Sequence, residues 1–195
     1  MVYLCFATNN QNKIAEIGQI LGDEFKIQSL KDIGCSEELP ENQNTLEGNS
    51  LEKAQYVFDH YQSSCFADDT GLEVEALNGD PGVISARYAG MQKDSNDNID
   101  LLLSNLNNAK NRNAQFRTVI TLVSQGGVKQ FEGLIKGEIL TSRRGDKGFG
   151  YDPIFQPAGY TKSFAELSMT EKNSISHRAI AFRKLVTYLK TNPFS

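Results

Sequence analysis

A mixed α/β fold, with two lobes around a long, partly antiparallel sheet, is predicted by three observations on this 195-residue chain. Short apolar runs alternate with stripes of helical spacing, a long apolar hairpin turns on Gly126-Gly127, and no internal repeat interrupts the order. The chain also lacks a flexible linker, so a two-lobed shape has to come from interleaved segments.

Taken in order, Val2 to Ala7 reads as a buried first strand, and Asn12 to Gly22 as a helix with Ile14, Ile17 and Leu21 inward and Gly22 as its C-cap. Phe25 to Leu30 fits a second strand, and Lys31 to Thr45 a polar, acidic loop. Asn44 followed by Glu47 has the look of an N-terminal cap, ahead of a stripe at Leu51, Ala54, Phe58 and Tyr61; Lys53 falls off that stripe and reads on its own as solvated. Ser64 to Ala67 is a short strand expected to end at Asp68, and Leu72 to Ala76 alternates like a half-exposed one. Asn78 to Gly82 is a tight turn. Ile99, Leu102, Leu103 and Leu106 mark an amphipathic helix. Gln115 to Ser124 and Val128 to Leu140 form the hairpin, with Phe131, Gly133, Ile135, Gly137 and Ile139 on one face; two glycines there imply a close backbone approach or a bend. A last helix carries Ile175, Ala179, Phe182, Val186 and Leu189 inward, with Ser174 as its cap.

Composition narrows the function classes. The chain has 39% hydrophobic and 23% charged residues and a net charge of −4, which places it among globular proteins and argues against broad capture of nucleic acid by a basic face. A small basic pocket for a phosphorylated ligand stays open. Cys5, Cys35 and Cys65 show neither a CxxC nor a metal-type spacing, so a reducing cytoplasm is expected rather than a disulfide scaffold. The apolar start is too short for a signal peptide or a membrane span.

Chemistry concentrates in a few stretches. FADDTG at 66–71 sets two carboxylates, Asp68 and Asp69, side by side where a strand should end; adjacent strand residues point to opposite faces, so one can face a ligand while the other braces a neighbour. Plain turn chemistry is the competing reading. Thr8-Asn9-Asn10-Gln11-Asn12-Lys13 is a polar strand-to-helix turn whose free amides and helix N-terminus suit an anion, though without the glycines of a Walker A loop. In Arg143 to Phe155, glycines at 145, 148 and 150 frame Phe149 and Tyr151, rings that either offer a flat surface to a nucleobase or pack as a lid on the core. Lys172, His177 and Arg178 bring donors to the start of the last helix, an unfavourable place for cations unless something anionic or carbonyl-bearing lies near.

Together these pieces resemble the inosine triphosphate pyrophosphatase family, which hydrolyses non-standard purine nucleoside triphosphates to the monophosphate and pyrophosphate. The resemblance is carried by TNNQNK at 8–13, NSLEKA at 49–54, FADDTGL at 66–72, PGVISARYAG at 81–90, GFGYDPIF at 148–155, AEL at 165–167 and EKNSISHRA at 171–179. It implies that residues 1–195 are a single catalytic domain of two interleaved lobes with the active site in the cleft between them. By the same resemblance, Thr8, Asn9, Asn10, Gln11, Asn12 and Lys13 bind the triphosphate, with Lys53, Thr70 and Lys172 as further substrate contacts. Phe149, Gly150, Tyr151, Asp152, His177 and Arg178 form the base pocket. Glu41 and Asp69 hold Mg2+, with Glu47 and Glu52 as the other acids that can complete the shell. Asp69 takes the proton of the attacking water, and Asp68 is the second catalytic carboxylate. A cytoplasmic homodimer with no nucleic acid or membrane partner is implied as well.

The physics suits these roles. An acidic protein needs lysines at the phosphates and a hard cation to reconcile a polyphosphate with its own carboxylates. A 6-keto purine presents an acceptor to Arg178 or a backbone amide, whereas adenine sets donor against donor, at about 1 to 3 kcal/mol. Three rival readings stand beside this one: a Maf-type pyrophosphatase acting on modified pyrimidine nucleotides, opposed by the Phe149 loop; a haloacid-dehalogenase-like phosphatase, whose DxDx[TV] spacing is absent; and a nucleotide sensor without turnover.

Overall fold

The structure is a computed structural model that describes residues 2–18, 20 and 25–192. Among these residues the elements are β1 Val2–Phe6, α1 Gln11–Gly18, β2 Phe25–Gln28, α2 Leu46–Tyr61, β3 Cys65–Val74, β4 Pro81–Gly82, α3 Ser95–Asn105, β5 Asn113–Ser124, β6 Gly127–Ile139, β7 Phe155–Pro157, α4 Met169–Ile175 and α5 His177–Thr191. The strands hydrogen-bond in the order β2-β1-β3-β5-β6-β7, with β4 also paired to β3. Parallel and antiparallel pairs both occur, so the sheet is mixed, as the sequence predicts. No described helix is long and apolar enough to cross a membrane.

Two compact units divide the chain. The first comprises Met1–Asp69, Thr118–Gly133 and Arg178–Ser195, and the second Thr70–Arg117 and Leu134–His177. In the first unit β1 lies parallel to β2 and to β3, pairing Cys5 with Cys65 and Phe6 with Phe66. The Phe6 and Phe66 rings stack at 4.5 Å, and Phe66 meets Phe182 of α5 at 5.8 Å. Ile17, Ile120, Leu122 and Leu185 join that core, while Ala54, Val57, Cys65 and Ala67 belong to a second cluster of the same unit. Strands covered on both faces read as continuous apolar runs, which is how Leu4 to Phe6 of β1 and the start of β3 are written, while Tyr3 stays exposed.

The second unit is built around Leu72, Ile99, Leu102, Leu106, Phe116, Ile154, Phe155 and Phe164. Here β3 pairs antiparallel with β4 and β6 with β7. The alternation expected along Phe131, Gly133, Ile135, Gly137 and Ile139 is present: these positions are buried or half-buried while the residues between them are exposed.

Four local expectations are revised. β3 does not end at the carboxylates but runs through them to Val74, taking the expected second strand as its continuation. α2 is capped by Thr45, whose side chain accepts the Gly48 N–H, not by Asn44. Its buried face is Leu46, Asn49, Ser50, Lys53, Ala54 and Val57, one step round from the predicted stripe. The last helix is two: α4, capped by Ser168 in a capping box with Glu171, and α5, separated by the extended residue Ser176; Ser174 instead donates its hydroxyl back to the Glu171 carbonyl. The Leu21 and Gly22 expectations lie outside the described residues.

Gly137 shows why a strand interior carries glycine. A Cβ there would lie 2.3 Å from the Gln156 carbonyl oxygen and 2.7 Å from the Phe155 ring, so β7 approaches as the sequence implied. Gly137→Ala is expected to cost roughly 1 to 3 kcal/mol through overpacking, read as a lowered guanidinium midpoint; an unchanged midpoint would show that the close approach is not constraining.

Candidate functional site

The site begins with a contradiction in β3. Asp68 and Asp69 interrupt an apolar strand and are both buried, at 1% and 8% exposure, where an unpaired charge is strongly disfavoured. Compensation comes from three helices. Lys13 of α1 donates to Asp68 Oδ1 at 2.8 Å. Arg178, at the start of α5, donates through Nε to Asp68 Oδ2 at 3.2 Å and through Nη1 to Glu16. From α2, Asn49 Nδ2 donates to Asp69 Oδ2 at 3.0 Å, while Lys53 Nζ reaches the Asp68 carbonyl oxygen at 2.8 Å, Glu41 Oε1 at 2.5 Å and Asp69 Oδ1 at 3.8 Å. All these groups lie in the first unit.

The two neighbouring carboxyls are driven in opposite directions. Burial works against the charge of Asp68, but Lys13, Arg178 and Lys53 outweigh it and hold the carboxyl well below its ordinary range. Burial pushes Asp69 up, against the pull of Lys53, Lys13 and Asn49. Lys53 is itself buried, yet Asp69, Glu41 and Asp68 keep its ammonium more strongly protonated than usual. The solvated reading of Lys53 is thereby overturned: it shares a helix face with Asn49, one turn away.

The loop at 8–13 is a conventional helix start. Thr8 Oγ1 accepts the Asn10 N–H, and Asn10 Oδ1 accepts the N–H groups of Asn12 and Lys13. The amides of Asn12 and Lys13, expected to be free for an anion, are therefore occupied by the Asn10 cap. Asn9, Asn10, Gln11 and Asn12 are exposed and Thr8 half-buried.

A second cluster lies within the second unit. Asp152 Oδ2 accepts the Phe149 N–H at 2.8 Å and Lys172 Nζ at 2.6 Å. The Lys172 ammonium sits 4.9 Å from the Phe149 ring centre and 5.5 Å from that of Phe164, within cation–π range. Gly148 is required here, because with φ +76° a Cβ would lie 2.1 Å from Asp152 Oδ2. His177 is buried and stacks on Phe116 at 4.7 Å with 14° between planes. Of the two rings in this loop, Tyr151 is a core residue whose hydroxyl donates to the Ser85 carbonyl, while Phe149, Gly150 and Thr70 stay half-buried.

So the predicted residues fall into two groups: Lys13, Glu41, Lys53, Asp68, Asp69 and Arg178 in one, Phe149, Asp152, Lys172 and His177 in the other. Arg178, expected beside the base, is bound to Asp68 and Glu16. Of the three candidate acids, Glu41 shares Lys53 with Asp69, whereas Glu52 accepts from the Asn42 N–H and from the Asn42 and Gln43 amides, and Glu47 is half-buried with its carbonyl accepting from Gln130. Sequence reasoning missed Glu16 and Asn49. Each had a signal, since Glu16 is three residues after Lys13 and Asn49 four before Lys53, hence on the same helix faces.

Among the described residues, no three His, Cys, Asp or Glu side chains are grouped as a ready-made metal cage. Glu41 and Asp69 do converge on one cation, the Lys53 ammonium, and their oxygens are the hard donors that Mg2+ takes.

Residues 4–188 match the Ham1 family. The chain is 56% identical over 187 residues to the dITP/XTP pyrophosphatase of Flavobacterium psychrophilum, covering 96% of this chain and 98% of that one. It is 50% identical over 190 residues to the enzyme of the same name from Porphyromonas gingivalis, covering 97% and 98%. Among solved structures, the Ham1 protein of Staphylococcus aureus superposes with a TM-score of 0.89 at 37% identity, covering 97% of this chain and 98% of that one, and a HAM1 protein from Coxiella burnetii with 0.90 at 34%, covering 98% and 100%. With likeness running through nearly the whole length in both sequence and fold, this chain belongs to the Ham1 family.

Proposed function

We propose that this protein hydrolyses non-standard purine nucleoside triphosphates, dITP, ITP and XTP or dXTP, to the monophosphate and pyrophosphate, and so cleanses the nucleotide pool. The observation that carries the chemistry is the opposed behaviour of Asp68 and Asp69. Two carboxyls with environments that push their proton affinities apart take different roles. Asp68, held ionised by Lys13 and Arg178, is the fixed counter-ion. Asp69, pushed up by burial, is the group suited to accept a proton from water. The substrate class comes from the likeness to dITP/XTP pyrophosphatases.

In this reading Lys13 and Lys53 bind phosphate oxygens, with Thr8 to Asn12 alongside them. Water attacks the α-phosphorus, its proton passes to Asp69 Oδ, the bond from that phosphorus to the bridging oxygen breaks, and pyrophosphate leaves with the electron pair. Glu41 and Asp69 are assigned to a divalent cation, Mg2+, which when bound neutralises phosphate charge and lowers the pKa of a bound water. Base recognition is assigned to Phe149, Asp152, Lys172 and His177, where a ring face lies beside N–H donors that suit a 6-keto group. Thr70 and Gly150 are assigned to substrate contacts as well, whereas Tyr151 takes the core role and Arg178 the structural role that their own bonds indicate. The reading carries with it the cytoplasmic homodimer implied by the resemblance; the three buried free thiols suit a reducing compartment.

Three measurements test it. Pyrophosphate release should depend on Mg2+ and favour dITP and XTP over dATP by roughly 10- to 100-fold in kcat/KM, the worth of one mispaired buried donor; equal rates for dITP and dATP would remove the base assignment, and saturable binding without release would favour a sensor. Asp69→Asn should lower kcat by about 10^2- to 10^4-fold, the usual contribution of a general base, with the circular dichroism spectrum preserved; near-normal turnover would take Asp69 out of this role. Asp68→Asn should act on stability, costing roughly 3 to 5 kcal/mol in urea denaturation at pH 7 by leaving buried cations under-compensated. Because the folded Asp68 carboxyl lies below the ordinary value of about 3.9, its stabilisation is complete above that pH and fades as pH falls further. The difference between wild type and variant should therefore narrow in acid, and a constant difference would assign it to packing.

A further inference from the structure

Lys53 is buried at 5% exposure, and its ammonium occupies the position that a cation shared by Glu41 and Asp69 would need, 2.5 Å from one carboxylate and 3.8 Å from the other. A second hydrogen bond, 2.8 Å to the Asp68 carbonyl oxygen, anchors it to the strand backbone. Two of the three donors of the ammonium are thus taken, by Glu41 and by the strand backbone, while Asp69 stands at ion-pair distance. The surrounding charge is also nearly balanced. Four carboxylates, those of Glu16, Glu41, Asp68 and Asp69, face three cations, Lys13, Lys53 and Arg178. A doubly charged ion arriving alone would meet a like charge at contact distance and carboxylates already neutralised. The Glu41 side chain is 37% exposed, so the outer wall of this arrangement is the part open to approach.

We propose that Lys53 is a resident counter-ion that keeps free divalent cations off the Glu41–Asp69 pair until a polyphosphate draws its ammonium away. The inference rests on the nucleotide reading above and adds an order to it: cation and nucleotide enter together, because phosphate oxygens supply both the competing acceptors for Lys53 and the remaining ligands of the ion. Lys53 then couples the two binding events. Such coupling is reciprocal, and typical values lie between about 5- and 150-fold.

Mn2+ binding to the full chain, followed by water proton relaxation enhancement, which separates protein-bound from nucleotide-bound Mn2+, reads this directly and without turnover. In wild type, Mn2+ alone should bind weakly and about tenfold or more tightly once the non-hydrolysable α,β-methylene dITP is present. In Lys53→Met and Lys53→Gln, Mn2+ alone should bind about tenfold more tightly than in wild type, and the gain from the analogue should shrink. Wild-type binding of Mn2+ that is equally tight with and without the analogue overturns the proposal, as do folded variants no tighter than wild type. If neither variant folds, the wild-type comparison decides by itself. Absence of Mn2+ binding even with the analogue would remove the cation assignment of the proposed function and this inference with it, whereas tight, uncoupled binding removes this inference alone.

Discussion

The first unit depends on one constraint: two consecutive carboxylates are buried inside a strand that packs as apolar sheet. The backbone can place Asp68 and Asp69 there only if cations are delivered to them, and a single element cannot deliver enough. Lys13 arrives on α1, Lys53 on α2 together with the neutral donor Asn49, and Arg178 on α5. Each of these helices also packs an apolar face, through Ile17, Ala54 and Phe182 respectively. The apolar stripe fixes where each helix lies, and the polar residue one turn or one step away then has a defined target. Fixed positions matter for chemistry, since preorganised charges act without having to reorient.

The second unit uses the same device on a smaller scale. Asp152 is buried and pairs with Lys172, and the same carboxylate oxygen takes the Phe149 N–H. A loop rich in glycine would otherwise sample many conformations; here one carboxylate holds the backbone of Phe149 and the ammonium over its ring. Phe116, Phe155 and Phe164 supply the apolar floor, and His177 stacks on it. The ring that the sequence singled out beside Phe149, Tyr151, serves that floor instead.

Much of this was legible from spacing. The mixed α/β class, the hairpin, α3 and the inward residues of α5 follow from periodicity, because apolar faces have to be buried whatever the tertiary context. The elements that carry the site were less legible, for a physical reason. Periodicity registers only apolar residues as inward, so a helix whose buried face includes Asn49, Ser50 and Lys53 is assigned the wrong orientation, and a strand containing Asp68 and Asp69 is cut short. Charge in the interior becomes readable only when its partners are known, and these partners are up to 162 residues apart in sequence, as Glu16 is from Arg178.

That distance also explains the misplaced expectation for Arg178. Cations at a helix N-terminus are opposed by the helix dipole, so their presence correctly signalled a nearby anion. The anion for Arg178 is internal, the carboxylates of Asp68 and Glu16, with the guanidinium only 2% exposed. Guanidinium is suited to this duty, since its planar set of donors can serve two carboxylates at once and it does not lose its charge on burial. A lysine at 178 would retain the charge but not that geometry. The break at Ser176 gives the chain the extended residue it needs to start α5 afresh, with Arg178 in the first turn where it reaches β3, and residue type and helix boundary are thus set by the same buried carboxylate.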